Sequence, residues 1–103
     1  MSKLLNAVKM PSLNGPYKPY LTLADDTELT VGPLRGDKDF PTFEVYIERP
    51  ASDDFDTLRI DLPYLEVIYS KGFSDKEISE YKKFLCKNQD AIYHIASGGN
   101  DNA

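Results

Sequence analysis

His94 and Cys86 are the only histidine and the only cysteine among 103 residues, so general-base or nucleophilic chemistry would start with them. A catalytic base needs a partner and a pocket. In the helix predicted below, His94 falls roughly 130° from the centre of the apolar stripe, which points it to water. Cys86 lies on the same wet side, beside Lys87. A nearby lysine lowers a thiol pKa, but no second cysteine or adjacent histidine is there to activate it. Asp53, Asp54 and Asp56 are the nearest approach to a cation loop. A calcium loop needs glycine at its sixth position and glutamate at its twelfth, and counting from Asp53 these are Leu58 and Tyr64. Phosphate-cradling glycine motifs, Gly-x-Ser-x-Gly and His-Glu-x-x-His are all missing. Arg35-Gly36-Asp37 matches an adhesion tripeptide but reads as a turn. The expectation is a protein with no catalytic set, no metal site and no cofactor. A minor enzyme using Cys86 or His94 is the alternative it leaves.

The composition narrows the classes further. Acids outnumber bases 17 to 12, for a formal charge of -5, which disfavours general binding to nucleic-acid phosphates. Lys76, Lys83, Lys87 and His94 form a stripe along the predicted helix, but Glu80 and Asp90 flank it, the pattern of a solvated mixed-charge face. With 41% apolar and 28% charged residues the chain has an ordinary globular composition and the length of one domain. One cysteine fits a reducing compartment. No apolar run reaches the span of a membrane helix, and the N-terminal apolar patch is too short for a secretion signal. These features predict a cytoplasmic protein.

Periodicity supplies the elements. Residues 1–15 read as an N-terminal arm, a short helix or irregular, closed by Pro11, Asn14, Gly15 and Pro16. Leu21, Leu23, Leu29 and Val31 alternate with polar residues around Asp25-Asp26, a hairpin with an Asx turn. "TFEVYIER" (42–49) and "TLRIDL" (57–62) alternate as strands, with Phe43, Val45, Ile47, Leu58, Ile60 and Leu62 facing in. Paired antiparallel, they would set Arg59 opposite Glu44 or Glu48. "YLEVIYS" adds a short strand after Pro63. "GFSDKEI" then carries a capping box, Ser74 with Glu77, and a hydrophobic staple, Phe73 with Ile78. Ile78, Tyr81, Phe84, Leu85, Asn88, Ile92 and Ile95 fall on one side of a single long helix that Gly98-Gly99 stops near Ala96. The prediction is α+β: an antiparallel sheet of four to five strands with one long C-terminal helix on one face, over residues 16–96, followed by a frayed tail at 97–103.

Seven tyrosines and five phenylalanines are more aromatics than so small a core can hold. Tyrosine is enriched at protein interfaces. The open sheet face therefore offers Glu44, Tyr46, Glu48, Arg59 and Asp61 as candidate contacts with another protein. The sheet edges offer a route to a homodimer. A second expectation is an acidic inhibitor from a phage or mobile element. It would present Asp25, Asp26, Glu28, Asp37, Asp39, Asp53, Asp54 and Asp56 to a basic nucleic-acid-binding surface.

"FPTFEV" (40–45), "LRIDL" (58–62), "KGFSDKEI" (71–78) and "KNQDAIYHI" (87–95) carry a resemblance. Residues 39–96 resemble a small uncharacterised bacterial family with a Pro-Pro-His-Phe-His-Val strand and a Gly-Phe-Ser-x-x-Glu helix start. Its members look like small cytoplasmic proteins encoded in toxin–antitoxin-like pairs. The resemblance implies a regulatory or neutralising partner in such a pair, and it carries over no established activity. Thr42 and Glu44 stand where that family has its histidines, so any chemistry those histidines serve is not available to this chain.

Overall fold

The computed structural model describes residues 16–98. The strands are β1 (Lys18–Thr22), β2 (Glu28–Val31), β3 (Arg35–Gly36), β4 (Pro41–Pro50), β5 (Phe55–Leu62) and β6 (Glu66–Lys71). Two helices follow, α1 (Asp75–Lys87) and α2 (Gln89–Ala96). The sheet is antiparallel in the order β1-β2-β4-β5-β6, with β3 pairing the start of β4. The α+β prediction holds in its class. The N-terminal arm and the end of the tail lie outside the described residues.

Alternation builds the core. Leu29 and Val31, then Phe43, Val45 and Ile47, then Leu58, Ile60 and Leu62 are buried on one face of the sheet. Phe73, Leu85, Ile92 and Ala96 close over them from the helical side. Each fully buried aliphatic side chain contributes roughly 1.5–3 kcal/mol, so this layer is the main source of stability. The hairpin turns as predicted: Asp25 accepts a hydrogen bond from the Thr27 amide at 3.0 Å, and Asp26 takes φ 70°. Both are the business of short Asx side chains in turns.

The sheet has six strands where four to five are predicted, and two segments differ from expectation. The loop after β2 contains a two-residue strand, with Arg35 opposite Thr42 and Gly36 opposite Pro41, so Arg35-Gly36 is sheet and not turn. The single long helix is two. Asn88 leaves the helical region at φ -109°, ψ 20°, and its side-chain amide donates to the Phe84 carbonyl at 2.8 Å. The Asn88 backbone amide reaches the Phe84 and Leu85 carbonyls as well, at 3.1 and 3.2 Å, so backbone and side chain together close the last turn of the first helix. Gln89 restarts the chain by donating to the Pro63 carbonyl at 3.0 Å, which ties α2 to the β5–β6 turn. The apolar stripe survives the break, since Leu85, Ile92 and Ala96 are all buried. Both ends of the helical region follow the sequence. Ser74 and Glu77 form the capping box, and Gly98 at φ 93° follows the last turn.

Arg49 anchors α1 to the sheet. Its guanidinium donates to Asp56 at 2.9 Å, to Glu77 at 2.8 Å and to the Gly72 carbonyl at 2.8 Å. It also lies 4.2 Å from the centre of the Phe73 ring. Gly72 has φ 87°, and a Cβ there would run into the Asp56 carboxylate. Gly72→Ala is therefore expected to destabilise the protein by about 1–3 kcal/mol. Asp56→Ala in the same chain should recover part of that loss. Chemical denaturation of both single variants and the double variant checks this, and strict additivity would mean that backbone strain alone sets the cost.

Candidate functional site

The register places the polar side chains of the sheet in rows. Thr30, Tyr46, Arg59 and Tyr69 are successive partners across β2, β4, β5 and β6. Glu28, Glu48, Thr57 and Lys71 form a row on one side of them, and Glu44, Asp61 and Glu66 a row on the other. Arg59 thus stands opposite Tyr46, not opposite Glu44 or Glu48. It reaches its carboxylate diagonally, as long side chains can.

Glu44 is the one charged residue buried among the described residues and is only 3% exposed. Arg59 pairs with it through Nε and through Nη2, the latter at 3.1 Å, and the Tyr17 hydroxyl donates to Oε1 at 2.8 Å. Burial alone would raise the Glu44 pKa, but the hydrogen bonds from Arg59 and Tyr17 outweigh it, and the carboxyl titrates below its ordinary range. Tyr17 packs edge-on against Tyr46, with ring centres 5.9 Å apart. Glu48 faces Glu28 across the strand pair. Burial, then the charges of Glu28 and Asp54, push its carboxyl up. Burial, then the neighbouring Glu48, push the Tyr46 hydroxyl up to about 12. Asp61 binds Arg35 at 2.6 Å.

Of the candidate contacts read from the sequence, Glu44, Arg59 and Asp61 are engaged within the chain, and Tyr46 and Glu48 are half-buried. Substituting Glu44 therefore disturbs folding before it could report on contact. Four of the eight acids expected to form a rim are also engaged within the chain. Asp25 caps Thr27, Asp37 accepts from the Asp39 amide at 2.8 Å, Asp54 binds Lys71 at 2.8 Å, and Asp56 binds Arg49. Cys86 and His94 are exposed on α1 and α2. Among the described residues no group of three or more His, Cys, Asp or Glu is placed to hold a metal ion, and no helix is long and apolar enough to cross a membrane.

The exposed apolar surface lies elsewhere. Phe40 and Tyr64 are each 71% exposed, and Ile68, Tyr69 and Tyr93 are about half exposed. Phe40, Tyr64 and Tyr93 line one groove of about 350 Å³ between the β3–β4 loop, the β5–β6 turn and α2. Ile68 and Tyr69 follow on β6, the last strand in the sheet order, whose outer edge pairs with no described strand. Ile68 is the extra residue of a bulge there, between the pairs Arg59–Tyr69 and Ile60–Val67. The aromatic count marks a surplus over the core, but it does not single out Phe40, Tyr64, Tyr69 or Tyr93, and it misses Ile68. The signal was local: Phe40-Pro41 and Pro63-Tyr64 set an aromatic beside a proline at a chain reversal, where side chains are pushed outward.

Two measurements test this account of the face. Glu44, held low, contributes stability that is present above the ordinary carboxylate range and lost as pH falls through its folded value. Glu48, held high, contributes the opposite: stability present below that range and lost as pH rises. Arg59→Ala leaves Glu44 buried without its cation. It should destabilise by about 2 kcal/mol, less than for a fully buried pair because Arg59 is 40% exposed. Glu44 then titrates in the same sense as Glu48, so the fall in stability on acidification should flatten or reverse. Denaturation midpoints across the carboxylate range check this, and an unchanged slope would refute it. Separately, the neutral Tyr46 phenol contributes stability that is lost as pH rises from the ordinary tyrosine range toward about 12. Phenolate absorbance should show Tyr46→Phe removing the tyrosine that titrates near that value.

No protein-family model matches the chain, and comparison with curated proteins and with solved structures found no match.

Proposed function

We propose that the protein is a non-enzymatic interaction module that binds another protein through the β6 edge and the aromatic surface beside it. The observation that carries this reading is the placement of the exposed large apolar side chains. Phe40, Tyr64 and Tyr93 share a groove, and Ile68 and Tyr69 are exposed on β6, whose outer edge pairs with no described strand. Exposed apolar side chains grouped in this way support an interaction site, and an open edge adds backbone donors and acceptors for a partner strand. β6 contains no proline, and its bulge at Ile68 and its terminal charges Glu66 and Lys71 confine any added pairing to a short stretch. The contact surface thus moves from the polar face, where the charges satisfy one another, to its β6 margin, where Tyr69 stands next to Arg59. Neutralising a toxin-like partner, the role implied by the family resemblance, would use such a surface.

The test is affinity capture from native lysate after nuclease treatment, using the native chain and an Ile68→Asp, Tyr69→Asp variant. Both residues are exposed, so the fold should tolerate the change. One stoichiometric protein should be captured by the native chain and reduced about tenfold or more by the variant. Equal capture by both would remove β6 from the contact. Material lost on nuclease treatment would point to nucleic acid, and self-association in sedimentation would identify the partner as a second copy of the chain.

A further inference from the structure

We propose that the groove between the β3–β4 loop, the β5–β6 turn and α2 receives a lysine or arginine side chain from an extended segment of the partner protein. The inference rests on the interaction-module reading and assigns that module its recognition chemistry. Phe40, Phe43, Tyr64 and Tyr93 supply aromatic surface to the groove, and its only charged lining residues are Asp39 and Asp90. A cation is attracted to aromatic faces by their quadrupole, and more strongly where water is excluded. The two carboxylates add charge complementarity. A purely apolar occupant would strip water from them and offer nothing in return, which is costly.

The walls are held in place before any partner arrives. Phe43 is buried and meets Tyr93 edge-on, with ring centres 5.8 Å apart, which fixes the inner wall. Gln89 ties α2 to Pro63, next to Tyr64. Asp37 accepts from the Asp39 amide and so sets the loop that presents Asp39 and Phe40. The volume of about 350 Å³ lies at the low end of ligand-sized sites, room for one long side chain and its flanking backbone. Beyond Tyr93 an adjoining groove shares Asp39 and Pro41 and is lined also by Lys38 and Arg35. Arg35 is neutralised by Asp61, and Lys38 is offset by Asp37 in the same lining, so this second groove adds no net charge of its own to attract another cation. The bound segment thus carries its cation in the first groove and an uncharged residue across the second.

The test is an NMR titration of the full chain with blocked Gly-Lys-Gly, Gly-Arg-Gly and Gly-norleucine-Gly peptides and with tetramethylammonium ion. The lysine and arginine peptides should shift the amides of Asp39, Phe40, Tyr64, Asp90 and Tyr93 saturably, in about the millimolar range of a single weak contact. The norleucine peptide should bind at least about tenfold more weakly, and Asp39→Asn with Asp90→Asn should reduce the lysine peptide to that level. Equal binding of lysine and norleucine, or no saturable shift with the cationic peptides, overturns the proposal. Tetramethylammonium binding more tightly than either cationic peptide overturns the partner-segment source in favour of a free ammonium compound. If the cationic peptides fail while captured protein still depends on Ile68 and Tyr69, the groove assignment falls and the interaction module stands.

Discussion

Arg49 holds the two layers of this protein in one arrangement. It sits near the end of β4 and satisfies the start of β5 through Asp56, the turn after β6 through the Gly72 carbonyl, and the first turn of α1 through Glu77. Glu77 is also the residue that caps Ser74, so the same carboxylate starts the helix and docks it. The hydrophobic effect is non-directional. It would cover the apolar face of the sheet with α1 at many angles, and the planar fork of an arginine selects one of them. The side chain remains partly exposed, so its value lies in geometry more than in the energy of any one ion pair.

The opposite face of the sheet solves a different problem. With no second helical layer among the described residues, it still withdraws Glu44 from water and supplies a guanidinium and a phenol to receive it. Such a network discriminates between registers. A slip of one residue in β4 would turn Glu44 and Tyr46 into the hydrocarbon layer and Val45 outward. The Glu28–Glu48 pair works the other way, opposing like charges across β2 and β4, and burial together with that repulsion holds the Glu48 carboxyl above its ordinary range.

What was legible in the sequence was what depends on neighbours in the chain. The capping box, the Asx turn and the strand alternation each need only a few consecutive residues, and each is present. Asn88 was legible too, had its own side chain been weighed: counted as a member of the stripe, it is in fact the residue that caps the end of α1. Partners distant in sequence were not legible. Arg49 and Glu77 are separated by 28 positions, Arg35 and Asp61 by 26, and no local pattern links them. The aromatic groove is harder still. Phe40, Tyr64 and Tyr93 come from three segments and meet only because the β5–β6 turn is tied to α2.

That tie gives α2 a double part. An eight-residue helix does not persist alone in water. It stands because Ile92 and Ala96 are buried, because Gln89 holds Pro63, and because the Leu34 amide donates to the Ala96 carbonyl at 3.2 Å. One wall of the groove is therefore a short helix that owes its order to tertiary contacts, and any occupant that grips Tyr93 adds to those contacts and stabilises α2 by mass action.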